Sequence, residues 1–141
     1  MKKYLILILM IVVHLANGQS NMLEEYRWDN RLILLFGQAS DTIVEKQITE
    51  LKKDSAGITE RDLLIFHIDR NDVQFLRKPS NPDLSAKQLR SRYDVKRDEF
   101  RYILIGKDGG VKYNKKDFVA NEALFSIIDA MPMRKREMRK Q

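Results

Sequence analysis

A chain of 141 residues supports one domain built on one hydrophobic core. It contains no cysteine, which excludes thiol–disulfide exchange, thiolate catalysis, cysteine zinc sites and iron–sulfur clusters together. The net charge of +6 is concentrated at the ends: Lys2 and Lys3 open the chain, residues 134–141 hold five basic and one acidic side chain, and residues 19–133 hold 19 of each sign. A body with balanced charge is a poor nucleic-acid surface, and no nucleic acid is expected among its partners.

The first eighteen residues read as a secretory signal peptide. Met1-Lys2-Lys3 is a short basic segment, Tyr4–Val13 an uninterrupted apolar run, and His14-Leu15-Ala16-Asn17-Gly18 supplies small residues ahead of a cleavage point. The run of ten apolar residues is too short to span a bilayer, which takes about 20. Cleavage is expected between Gly18 and Gln19. The chain is thereby divided into a signal peptide (1–18), a domain (19–133) and a basic C-terminal tail (134–141), and the product is expected in the periplasm or outside the cell. Exported domains often carry disulfides; here the core has to hold the fold alone.

Leu23, Tyr26 and Trp28 precede the first strand and are expected to pin an N-terminal turn onto the core. Arg31–Gly37 (RLILLFG) holds a continuous run of five apolar residues rich in branched types, with glycine at its end, as in a strand covered on both faces. Ser40 or Asp41 then offers a capping oxygen to a helix whose apolar face is Ile43, Val44, Ile48 and Leu51, with Gly57 as its stop. Asp62–Asp69 (DLLIFHID) is a second interior strand, and two buried strands joined by a helix form a parallel crossover. Residues 70–83, with Pro79 and Pro82, read as a mobile loop leading to a cap at Asp83 or Ser85. Ala86, Leu89 and Tyr93 mark one face of a short helix, with Lys87, Arg90 and Arg92 outside it. Phe100–Gly106 is a third strand, Lys107-Asp108-Gly109-Gly110 a hairpin turn, and Val111-Lys112-Tyr113 the returning fourth strand. Leu124, Ile127, Ile128 and Met131 form the stripe of a last helix ending at Pro132. The expected fold is α/β, in the order β-α-β-α-β-β-α, with a four-stranded mixed sheet flanked by helices.

Particular residues carry a family likeness. Leu89-Arg90-Ser91-Arg92-Tyr93-Asp94-Val95 followed by Phe100–Val111 resembles the second half of a thioredoxin, where a helix ends in a Tyr-x-Val-like corner and a strand turns at a glycine hairpin. Leu23-x-x-Tyr26-x-Trp28-x-x-Arg31-Leu32, Arg61-Asp62-Leu63, Leu89-Arg90-x-Arg92-Tyr93, Leu104–Lys112 and Asp129-Ala130-Met131-Pro132-Met133-Arg134 resemble the bacterial branch of the DUDES domains, domain of unknown function 4174. This resemblance implies a three-layer thioredoxin-like fold lacking redox cysteines and an extracellular setting, because its eukaryotic relatives sit in extracellular matrix proteins. It implies no catalytic residues. A redox thioredoxin keeps its cysteine pair at the start of the helix after the first central strand, where the helix N-terminus lowers a thiol pKa. Gly37-Gln38-Ala39-Ser40-Asp41 stands there instead, and the cis-proline that would fall near Arg101 is missing. A thiol–disulfide oxidoreductase is excluded on those chemical grounds.

Open α/β sheets bind ligands beyond the carboxyl ends of their parallel strands. Gln38, Ser40, Asp69, Arg70 and, on the thioredoxin analogy, Arg101 are expected along that edge and form the candidate binding site. A solvated polar rim is the plainer reading of the same residues. His67, the one histidine after residue 18, sits in an apolar run without a nucleophile or fellow ligands, as a core histidine would. Gly106-Lys107 lacks the glycine spacing and following helix of a phosphate loop. No metal and no cofactor is expected. The functional expectation is an exported, non-redox binding module whose partner is an unknown protein or cell-surface component. Two alternatives are contact with a polyanion or anionic surface through residues 134–141, and a non-redox enzyme using the polar edge.

Overall fold

The computed structural model describes residues 22–76 and 84–140. Strands β1 (Arg31–Phe36), β2 (Leu63–Ile68), β3 (Val73–Phe75), β4 (Arg101–Ile105) and β5 (Val111–Lys115) form one sheet in the order β3-β2-β1-β4-β5. Helices α1 (Thr42–Lys53), α2 (Ser55–Glu60), α3 (Ala86–Tyr93), α4 (Asn121–Asp129) and α5 (Pro132–Met138) connect and cover it, after a single 3-10 turn at Glu24–Tyr26. β1 runs parallel to β2 and antiparallel to β4. This is the mixed α/β architecture of the thioredoxin fold.

All six residues of β1 and of β2 are buried, because both faces of the sheet are covered. The pleat sorts their side chains. Leu32, Leu34 and Phe36 pack with Ala86 and Leu89 of α3 on one face. Ile33 and Leu35 pack with Val44 and Leu51 of α1 and with Leu124 and Ile128 of α4 on the other. The layers are therefore helix, sheet, helix. Burying one such side chain contributes about 1.5–3 kcal/mol, and this double core does the work that disulfides share in other small domains.

Several sequence expectations change. The sheet has five strands rather than four: β3 pairs antiparallel with β2 through Phe66↔Phe75 and Ile68↔Val73, and the Phe66 and Phe75 rings meet at 4.4 Å. Three residues are too few for alternation to stand out within a polar loop. The rest of that loop, with Pro79, Pro82 and Asp83, lies outside the described residues. Ser85 is the cap of α3, accepting from the Gln88 N–H at 3.4 Å.

The single helix expected between β1 and β2 is two. Asp54 leaves helical geometry at φ −123° and ψ 74°, and its carboxylate accepts from the Gly57 N–H at 2.8 Å to start α2. Gly57 is not a stop. It is buried inside α2, where a Cβ would lie 2.8 Å from the Phe125 ring. Pro132 does not end the molecule's last helix but opens α5, where its missing N–H is no loss. The segment read as a tail from residue 134 is helical to Met138, and Arg134 within it is 1% exposed. Leu23 is buried and Tyr26 stands edge-on to Phe66 at 5.4 Å, but Trp28, expected with them, is 58% exposed.

Candidate functional site

The chain leaves β1 at Gly37, whose φ of +145° is open to glycine but strained for other residues; a Cβ there would also lie 2.5 Å from Val44 Cγ2. Beneath it, buried His67 Nε2 lies 2.9 Å from the Gly37 carbonyl. A carbonyl only accepts, so Nε2 carries the proton, and the histidine fixes the loop from below. Neither Ser40 nor Asp41 caps α1 as expected. Asp41 holds the N-cap position without a side-chain capping bond, and its carboxylate turns back to accept from the Gln38 N–H at 3.3 Å. Ser40 is exposed.

Asp69 closes the same loop from the end of β2. Its Oδ2 accepts from the Ala39 N–H at 3.3 Å and its Oδ1 from the Arg70 N–H at 2.7 Å. Asp98, in the loop before β4, then accepts from Gln38 Nε2 at 3.2 Å and Arg70 Nε at 2.8 Å. Gln38, Asp69 and Arg70 are thus brought together as expected, with Asp98 as the hub. The carboxylates of Asp41 and Asp69 occupy the loop N–H groups where a thiolate or a bound anion would otherwise be stabilised.

Arg101 does not join this group. Its guanidinium is committed to Glu99, with Nε at 3.2 Å and Nη2 at 2.5 Å, and to Asn114 Oδ1 at 3.1 Å. Hydrogen bonds from Arg101 hold the Glu99 carboxyl at a pKa of about 2, with Lys116 adding a contact at 3.0 Å. The Asn114 contact draws the side chain towards β5 rather than towards Asp69 and Arg70 on the β2 side.

Arg90, expected outside α3, is a second correction. It is 7% exposed. Nη2 donates to the Ile68 and Asp69 carbonyls at 3.1 Å each and Nη1 to the Lys96 carbonyl at 2.9 Å, so it closes the carboxyl end of β2 from below the rim. Burial pulls its pKa down, and nearby Asp69 and Asp98 oppose that. Its place in the block Leu89-Arg90-x-Arg92-Tyr93 was the one sequence signal that it mattered.

The opposite end of the sheet holds a larger charged assembly that sequence reasoning left without a role. Arg31, at the start of β1, donates to the Arg61 carbonyl at 3.1 Å and to both Glu137 oxygens at 3.2 and 3.3 Å. Lys107, in the β4–β5 turn, reaches Asp62 and Glu137 at 2.8 Å each. Arg61 grips Asp129 at 2.7 and 3.0 Å, and Arg134 bridges Asp129 at 3.2 Å and Glu60 at 2.5 Å. Burial alone would raise the Asp129 and Glu137 pKa values. The bonds from Arg61 and Arg134, and from Lys107 and Arg31, overcome it and lower both. Burial likewise opposes the Lys107 charge, yet Asp62 and Glu137 raise its pKa. The signal was present in Arg31, Arg61-Asp62, Lys107 and Asp129…Arg134, charged residues in otherwise separate blocks.

Comparison with known proteins matches residues 22–137 to the family described as Domain of unknown function (DUF4174). None of the curated proteins matches the chain. Among solved structures, the reduced 2-Cys peroxiredoxin of Plasmodium vivax is similar with a TM-score of 0.59 at 15% identity, over 81% of this chain and 72% of that one. A thioredoxin-fold protein from Helicobacter pylori aligns over 83% of each chain at 14% identity, with a TM-score of 0.49. At such identities the peroxiredoxin likeness is one of fold, and the cysteine chemistry its name states has no counterpart in a chain without cysteine.

Proposed function

The chain belongs to the family described as Domain of unknown function (DUF4174), and from that premise we propose that it is an exported, non-redox binding module that recognises a protein or cell-surface component through the rim at the carboxyl ends of β1 and β2. One observation carries the reading. At the position where the fold keeps its redox pair, the loop N–H groups are filled by Asp41 and Asp69, while Gln38 and Arg70 converge on Asp98. The rim is thus a fixed array of polar groups on rigid strand ends, held from below by His67 and Arg90, which suits recognition. Export rests on the basic-apolar-small pattern of residues 1–18.

The test places a photo-crosslinking residue at exposed Ser40 and, as a control, at exposed Thr49 on the outer face of α1. A discrete adduct that forms from Ser40, is absent from Thr49 and disappears in Arg70→Glu supports the reading. Identical products from both positions, or monomer alone, overturn it. For export, the processed protein should begin at Gln19 by N-terminal sequencing; an unprocessed chain retained in the cytoplasm contradicts it.

A further inference from the structure

We propose that the end of the molecule opposite the rim docks on an anionic lipid surface, with the outer face of α5 as the electrostatic contact and Trp28 and Met138 as apolar anchors. The inference goes beyond the rim reading and involves none of its residues. Because residues 19–133 balance at 19 charges of each sign, the surplus positive charge of the folded body is carried by α5 and the residues just after it. Four cations there, Lys135, Arg136, Arg139 and Lys140, are all exposed. None of them has an ion-pair partner among the described residues, whereas the cations on the inner side, Arg31, Arg61, Lys107 and Arg134, are each matched to a carboxylate. Glu137, the one acid of α5, is turned inward to Arg31 and Lys107. The helix therefore presents cations outward from a rigid mounting rather than from a loose tail.

Apolar side chains stand at the same end. Met138 is 39% and Trp28 58% exposed, and Met138 shares a shallow groove with Lys135 and Arg139. Trp28 is tied to this end by its N–H, which donates to the Lys107 carbonyl at 2.6 Å, and the Lys107 ammonium reaches Glu137 of α5 at 2.8 Å. Its φ of +71° is a strained conformation for a bulky residue, so the fold holds the indole out at an energetic cost. Arg27 stacks over that ring at 5.0 Å. A sulfated polysaccharide would use the cations and leave the indole and the thioether in water. A bilayer interface takes both, since tryptophan settles at headgroup level and basic side chains gain from the surface potential.

Trp28 is the sole tryptophan, so its fluorescence reports on this end alone. The experiment measures co-sedimentation and Trp28 emission with phosphatidylcholine vesicles, with and without phosphatidylglycerol, for the full chain and for Lys135→Glu/Arg136→Glu/Arg139→Glu. Any contribution of residues 1–18 is common to both proteins. The expected result is partitioning onto phosphatidylglycerol vesicles with a blue shift of Trp28, reversed by salt and roughly a hundredfold weaker in the variant; that factor corresponds to the ~3 kcal/mol that three basic side chains contribute at such a surface. An unchanged circular dichroism spectrum shows the variant is folded. Equal partitioning of the two proteins onto phosphatidylglycerol vesicles, or a Trp28 emission that does not shift there, overturns the proposal. Retention on heparin that depends on the three cations, without vesicle binding, overturns it in favour of a polysaccharide. The Ser40 crosslink reads the other end of the molecule, so either proposal can fail while the other stands.

Discussion

At the carboxyl ends of β1 and β2 the paired charges are open to water, with the Arg70 and Asp98 side chains 48% and 59% exposed; at the opposite end Arg31 and Arg134 are each 1% exposed. Both ends consist of arginines facing carboxylates, but the energetics differ. Exposed pairs contribute about 0–1 kcal/mol, because solvent screens them and long side chains lose entropy in meeting. Removing one partner of a buried pair leaves an uncompensated charge and costs about 3–5 kcal/mol. The buried end ties β1, α2, the β4–β5 turn, α4 and α5 into one body, and the open end is left free for contact. The charged residues of the family resemblance in Arg31, Arg61-Asp62, Lys107 and Asp129…Arg134 belong to the end that builds the fold.

Arg31→Ala should show this most strongly, with a loss of about 3 kcal/mol in urea unfolding, the low end of the buried-pair range because Glu137 keeps Lys107 and is itself 26% exposed. A loss below about 1 kcal/mol would break the contrast between the ends. Gly37→Ala tests the rim's backbone rather than its charges. The positive φ and the 2.5 Å approach to Val44 should cost about 2 kcal/mol, and the same unfolding curve reads it.

Acid reaches the buried network through its carboxylates, while Glu99, held at a pKa of about 2 by Arg101 at the other end, responds only at the foot of the acid limb. Asp129 and Glu137 have depressed pKa values in the fold. Their contribution is therefore fully present above the unfolded carboxylate range of about 4 and is lost as pH falls through the depressed values below it. Urea midpoints from neutral pH to pH 2 should decline along that limb, and Glu137→Gln should flatten it. An unchanged limb would remove the ion network from the account. The smallest effect is expected for Asp98→Asn, within about 0.5 kcal/mol, because its pairs to Arg70 and Gln38 are exposed.

Much of the fold was legible because β1 and β2 are buried on both faces and so read as unbroken apolar runs, and because the Asp-Gly turn announced the β4–β5 hairpin. β3 was not, since three residues among polar neighbours leave no period. The break at Asp54 escaped because a capping side chain restarts the helix two residues before the glycine that looked like its end. At the candidate site, Gln38, Asp69 and Arg70 could be placed from strand ends alone. Asp98 could not, because it reaches the rim from a loop 28 residues beyond Arg70. Arg101 was carried there by analogy with a proline position, but its side chain follows Glu99 instead. Arg90 and Arg134 look like surface residues in sequence, and only the backbone carbonyls and carboxylates gathered around them make their burial tolerable.

The most direct test compares Arg134→Met with Arg70→Met in parallel urea titrations at neutral pH. Each removes one arginine charge and keeps an unbranched side chain, so the two differ chiefly in which end of the sheet they alter. The account predicts a loss of about 2 kcal/mol for Arg134→Met, because Asp129 keeps Arg61 and Glu60 is 51% exposed, and no more than about 0.5 kcal/mol for Arg70→Met. Equal losses, or a larger one at Arg70, would contradict it.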